Sequence, residues 1–193
     1  MDEGYLWPDA LTKDQVTAAS ASEVVAVYPR RSEVPRDVWR RLFESADREI
    51  GVLVYAGLFL AEDTSLHRVI RKKAKAGVRI RFLLGDRDDP HIADRGEQEG
   101  IGDALAAKIS NAIALYAPLR DTDGVEFRMH RTVLYNSIYR ADDQLLVNSH
   151  LYGVIASHAP TWHLRKVAGG EFASIYLESF EQVWDSAVRL PED

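Results

Sequence analysis

The sequence predicts an α/β domain: a mixed, mainly parallel sheet with helices on both faces. Three observations carry this class. The run EIGVLVYAGLFL, Glu49 to Leu60, is too uniformly apolar for a strand with one face in water, and reads as a strand covered on both sides. A helix-period segment and a second strand, VRIRFLLGD, follow it directly, which makes a β-α-β unit with a right-handed crossover expected. The length of 193 residues, with 46% hydrophobic and 28% charged side chains, suits one globular domain with a full-sized core.

Taken in order, residues 1–22 are rich in small and polar side chains, break at Trp7 and Pro8, and show only a short helical pattern around Leu11 to Ala19, so they read as a connector. The domain itself is expected over 23–193. VVAVYP, Val24 to Pro29, is a β-branched strand, and Pro35 stands where a helix can begin. Val38, Trp39, Leu42, Phe43 and Ala46 then recur at helical spacing, with Arg36, Arg40, Arg41 and Glu44 on the opposite side. Asp63 or Thr64 caps the crossover helix, Leu66, Val69, Ile70 and Ala74 form its apolar stripe, and Gly77 ends it. GDRDDPHIADRGEQEGIG is charged, glycine-rich and aperiodic, and is expected as a mobile loop; residues 101–117 follow as an alanine-rich helix. The 119–152 region should supply antiparallel strands, TWHLRKVAG another strand, and the last helix should close the core with Ile175, Leu177, Phe180, Val183 and Trp184.

Composition excludes several classes. There is no Cys, hence no disulfide frame, thiolate nucleophile or Cys-based zinc site. No leader pattern is visible, and the longest apolar run, about a dozen residues, falls short of the ~20 a spanning helix needs, so a cytoplasmic protein without membrane contact is expected. A net charge of -6 argues against a broad nucleic-acid surface. His130, His150, His158 and His163 fall in the last third but lack zinc-ligand spacing, so neither metal nor cofactor is implied. GDRDDPH sets carboxylates just beyond a strand end, where open α/β sheets bind ligands, but turn formation and capping explain them more cheaply; Asp142 and Asp143 at a hairpin tip read as turn residues.

The richest stretch is RMHRTVLYNSIYRADDQLLVNSH, residues 128–150, a strand, a tight polar turn and a second strand with a histidine near each outer end. Tyr135, Asn136, Tyr139 and Tyr152 could line a pocket or merely rim the hairpin. Trp162, His163, Arg165 and Lys166 read either as a cationic and aromatic cluster near that pocket or as a solvated strand face.

The order strand, helix, strand ending AGVRIRFLLGD, loop, helix, strand opening with His, and a final helix ending SFEQVW resembles one repeat of the phospholipase D-like superfamily over roughly residues 35–186. That family carries an H-x-K-x(4)-D motif and a following G-S-x-N-like turn; its histidine attacks phosphorus and its lysine holds the phosphoryl oxygens. His130 matches the histidine, Thr132 stands at the lysine position, Ser137 at the aspartate position, and Asn148 to His150 where the turn belongs, after a longer hairpin. A hydroxyl does not replace an ammonium opposite developing phosphoryl charge. Arg131 alternates away from His130, whereas Arg128 shares its face and is the candidate substitute. YLWPDALT, the segment from Val25 to Asp63, and HRTVLYNSIYRADDQLLVNSHLYG are in turn similar to the carboxy-terminal part of actinobacterial helix-turn-helix regulators of the Xre type.

Together these resemblances imply a catalytically degenerate domain that senses a ligand, dimerises, or both, within a transcriptional regulator. The alternative is a single-motif phosphodiesterase or nuclease working as a homodimer through His130 as catalytic residue. The expected ligand-binding residues are His130, Thr132, Tyr135, Asn148, His150 and Arg128, for a small anionic ligand such as a phosphate ester or nucleotide. A homodimer is expected, with DNA reached only through a separate helix-turn-helix domain outside this chain.

Overall fold

The computed structural model describes residues 12–191. In chain order its elements are α1 (Lys13–Ser22), β1 (Val24–Tyr28), a 3-10 turn (Arg31–Glu33), α2 (Arg36–Glu44), β2 (Glu49–Leu53), α3 (Leu58–Ala61), α4 (Thr64–Lys75), β3 (Arg79–Gly85) and α5 (Pro90–Gln98). They continue with α6 (Ala104–Arg120), β4 (Val125–His130), β5 (Asn136–Ala141), β6 (Gln144–Ser149), a second 3-10 turn (Ala156–His158), β7 (Thr161–Arg165), α7 (Phe172–Ser186) and β8 (Val188–Arg189).

The strands form one sheet in the order β1-β7-β6-β5-β2-β3-β4-β8. Only β2–β3 and β3–β4 are parallel; the other neighbours run antiparallel. The expectation of a mainly parallel sheet is therefore corrected to a mixed, mostly antiparallel one. The reason is connection length. A parallel neighbour needs a crossover long enough to hold a helix, which α4 supplies between β2 and β3, and α5 with α6 between β3 and β4. From β4 onward the links to β5, β6 and β7 are short, and β5 turns back to lie antiparallel beside β2.

Helices cover both faces. On one, Trp39, Leu42 and Phe43 of α2, Ile70 of α4 and Tyr116 of α6 pack on Ile50, Val52, Phe82 and Tyr139. On the other, Ile92 of α5, Ile109 of α6, and Phe180, Val183 and Trp184 of α7 pack on Leu53, Leu83, Ile138 and Val147. Ile175, expected in the core, is 60% exposed; α7 presents Ala173, Phe180, Val183 and Trp184 inward instead.

Every residue of β2 is buried, as the apolar run required, but the strand stops at Leu53. The rest of the run turns at Gly57, whose φ of 61° suits a residue without Cβ, and continues as the short α3. Asp63 caps α4 by accepting from the Ser65 and Leu66 N–H groups. The expected mobile loop after β3 contains α5. Its inward side is Ile92, Arg95 and Gly96, which leaves no apolar period to read, while Asp89 as N-cap with Pro90 behind it was the legible start signal. The connector also contains a helix, α1, with a capping box between Thr12 and Gln15 and no buried side chain. Glu23 beyond it is buried and accepts from the Phe172 N–H at 2.7 Å and the Ala173 N–H at 3.3 Å, so it ties α1 and β1 to the amino terminus of α7.

Beneath α7, Glu49 on β2 and Glu181 on α7 bind Arg81 on β3 and Arg140 on β5, with Arg79 joining Glu49 from the edge of the cluster. Gly51 makes room for this network, since a Cβ there would lie 2.7 Å from both Arg140 Cγ and Phe180 Cζ.

Candidate ligand site at the carboxyl ends of the central strands

Strands β2, β3 and β4 end together, with His130 level with Gly85 in the parallel register. The His130 side chain is 2% exposed. Its Nε2–H donates to the Val54 carbonyl at 3.1 Å, and its Nδ1 accepts from the Thr132 N–H at 3.3 Å. Burial holds the imidazole below its ordinary pKa, against the opposing pull of those two backbone contacts and of Asp89 and Asp86. His130 is thus neutral, protonated on Nε2, and its one ring lone pair is taken by a backbone N–H.

Tyr55 lies between the two histidines, its ring 6.0 Å from that of His130 and 5.3 Å from that of His150. Its hydroxyl accepts from the Leu134 N–H at 2.8 Å. His150 Nε2 and Ser137 Oγ share a hydrogen bond of 2.9 Å. Burial, with the Arg95 guanidinium adding to it, pushes the His150 pKa down to about 3. The His150 Nδ1 is buried without a hydrogen-bond partner among the described residues, so no carboxylate orients the imidazole of this Ser–His contact.

Ser137 and His150 line a cavity of about 280 Å³ together with Arg31, Tyr55, Phe59 and Lys108. Arg95, which the sequence reading missed, holds one side of it together. Arg95 donates to the Leu151 and Val154 carbonyls at 3.3 and 3.2 Å and to Glu99 at 2.8 Å. A buried arginine inside an aperiodic charged segment carried no sequence signal.

The other expected site residues do not converge on this cavity. Thr132 and Tyr135 border a separate depression of about 340 Å³ beside α7, with Tyr135 79% exposed. Asn148 is fully buried between Ser137 and Thr161 in the strand register, and its amide donates to the Ala159 and Pro160 carbonyls. Arg128 is committed elsewhere: it donates to Glu126 at 2.8 Å and the Trp184 carbonyl at 2.9 Å, with its guanidinium 4.1 Å over the Trp184 ring. It does not stand in for the motif lysine. Trp162 and His163 alternate across β7, Trp162 toward Phe172 on the α7 side, so the expected cationic and aromatic cluster is split between faces. Asp89 caps α5, and Asp86 accepts from Arg131 and the Asp88 N–H, in keeping with the capping reading of GDRDDPH. Among the described residues, no three His, Asp or Glu side chains are grouped to hold a metal, and no helix is long and apolar enough to cross a membrane.

No family model matches the chain, and no curated protein matches it in sequence. Solved structures do. TrmBL2, an archaeal chromatin protein with a novel mode of DNA binding, superposes with a TM-score of 0.56 at 16% identity over 86% of this chain and 52% of its own. Phosphatidylserine synthase of Haemophilus influenzae gives 0.55 at 14% identity over 85% of this chain and 39% of its own. Nuc of Salmonella typhimurium, a phospholipase D family member, gives 0.49 at 13% identity over 81% and 91%. The chain therefore spans about half of the first of these proteins and less of the second. What these likenesses show is the fold alone, an α/β architecture that this chain builds on one eight-stranded, mostly antiparallel mixed sheet.

Proposed function

We propose that this is a non-catalytic phospholipase D-like domain that binds a small ligand and pairs with a second copy of itself, serving a transcriptional regulator whose DNA-binding domain lies outside this chain. One observation carries the reading: both nitrogens of His130 are engaged by backbone, in a side chain 2% exposed. An attack on phosphorus needs a free lone pair and a cation on the equatorial oxygens. Here the lone pair is occupied, the motif lysine is Thr132, and Arg128 is tied to Glu126 and Trp184. The cavity over Ser137 and His150 is the proposed ligand seat. The loops that end at the same side expose Val133, Tyr135, Leu151 and Tyr152, and the His150 N–H bond to the Tyr135 carbonyl brings them together. That patch, with Tyr152 84% exposed, is the proposed dimer surface. The fold of a DNA-binding chromatin protein supports the regulatory setting.

The decisive experiment is hydrolysis of bis(p-nitrophenyl) phosphate and of DNA, alongside light scattering. The expected result is no turnover, and a dimer mass that Tyr135→Ser with Tyr152→Ser converts to monomer. Turnover that survives chelation and disappears in His130→Ala would overturn the proposal in favour of the phosphodiesterase.

A further inference from the structure

Among the described residues, the buried guanidiniums of Arg81 and Arg95 are paired with carboxylates: Arg81 shares Glu49 and Glu181 with Arg140, and Arg95 is bound to Glu99 at 2.7 Å. Half-buried Arg31 has no such partner. Its guanidinium is held 4.0 Å over the Phe59 ring, Nε is buried without a hydrogen-bond acceptor, and no carboxylate pairs with it among the described residues. A desolvated N–H without an acceptor is destabilising, and more so when the group is charged. Such a donor calls for an anion. Phe59 fixes where the fork points at little entropic cost.

Arg31 also stands in a wall common to two concavities. One is the 280 Å³ cavity lined by Ser137 and His150; the other is a groove of about 790 Å³ whose lining balances Arg36 and Arg40 against Asp37 and Asp63, with Ser32 and Ser157 beside them. The cavity's charges favour an anion. Glu99 is neutralised by Arg95, so Arg31 and Lys108 face only Glu62 and leave one positive charge in excess. Ser137, hydrogen-bonded to His150, adds a hydroxyl to the lining.

The geometry points to Arg31 as the oxyanion-binding residue of this domain, seating the phosphoryl or carboxylate group of a small ester or acid against Phe59, with Lys108 and Ser137 completing the seat and the groove taking the rest of the molecule. This rests on the ligand-binding reading above and names the ligand class and its anchor. The cation that recognises the anion comes from the turn after β1 and not from the motif-lysine position, where Thr132 borders a different concavity.

The test titrates the full chain with inorganic phosphate, glycerol 3-phosphate, succinate and glycerol, read by calorimetry and by the Arg31 Nε–H resonance in proton–nitrogen NMR. Phosphate and glycerol 3-phosphate should bind and shift that resonance, and glycerol should not. Binding by succinate as well would assign a general oxyanion seat, and its absence a phosphoryl seat. Arg31→Gln should weaken binding by about tenfold or more, Arg31→Lys by less, and Arg165→Gln, remote on β7, not at all. The NMR shift in the wild-type chain keeps the test valid if Arg31→Gln fails to fold. An unmoved Arg31 resonance, or equal binding in Arg31→Gln, would overturn the assignment. Hydrolysis of bis(p-nitrophenyl) phosphate would instead overturn the non-catalytic reading beneath it.

Discussion

Replacing Glu49 by Gln removes one charge from the most concentrated ionic cluster in the molecule. Glu49 is 4% exposed and binds three guanidiniums: Arg79, Arg81 through Nε at 2.8 Å and again through its terminal nitrogen, and Arg140 at 3.2 Å. Arg81, 3% exposed, cannot turn to water, and it is walled in by the rings of Phe180 and Trp184, each 4.9 Å away. Without the Glu49 charge, Arg81 and Arg140 share only Glu181, which is half-exposed. Breaking a buried pair costs about 3–5 kcal/mol, because the surviving charge stays desolvated. Arg79 is largely exposed and adds little. Glu181 remains as partial compensation, so the expected loss is at the lower end, about 3 kcal/mol, or roughly 6–12 °C in Tm for a domain of this size. Urea denaturation followed by circular dichroism measures it directly. A loss under about 1 kcal/mol would refute the claim that the cluster is desolvated and mutually dependent. The companion replacement of the whole cluster by apolar residues of similar volume should recover most of the loss.

Stability should also fall in mild acid. Burial holds His67, His130, His150 and His163 below the ordinary imidazole pKa, so the unfolded chain takes up protons that the folded chain refuses. That contribution is complete above about pH 6.5 and is lost as pH falls from there toward the folded values. For His150, at about 3 when folded, the share lost by pH 5 is about 2 kcal/mol. Urea midpoints at pH 7.5 and pH 5 should differ accordingly and less in His150→Gln; equal midpoints in the parent chain would contradict the buried neutral histidines. Asp142, at φ 53° in the hairpin turn, accepts from the N–H groups of Asp47, Arg48 and Glu49 at 2.8–3.0 Å. Burial alone would raise its pKa, but those donors and Arg48 outweigh it and hold it below the ordinary carboxylate range. Asp142→Ala should therefore cost about 2–3 kcal/mol and speed hydrogen exchange at the Glu49 amide, and a change within 0.5 kcal/mol would show the turn to be only a turn.

Much of the frame was legible because it is written in local period. Val38, Trp39, Leu42 and Phe43 recur at helical spacing and are buried; β2 carries no polar side chain after Glu49 and is buried throughout; Asp63 caps the helix that follows it. What escaped reading was written in side chains whose partners are far along the chain. Arg95 gave α5 a buried side without an apolar period, because its partners include carbonyls more than fifty residues away, at Leu151 and Val154. Glu23 looked like part of a polar connector until its carboxylate met the first turn of α7, 149 residues later.

The candidate site divides in the same way. The residue types and spacing around His130 determined the resemblance, the missing lysine and hence the doubt about chemistry, since those are properties of one continuous strand and hairpin. Only the tertiary structure decided that His130 is bound at both nitrogens, that Arg128 belongs to Trp184, that Thr132 and His150 border different concavities, and that Arg31, paired with no carboxylate among the described residues, lines the cavity. The physical reason is that hydrogen-bond satisfaction and desolvation are set by whichever groups the fold brings within about 3 Å, and strands distant in sequence supply most of those groups here.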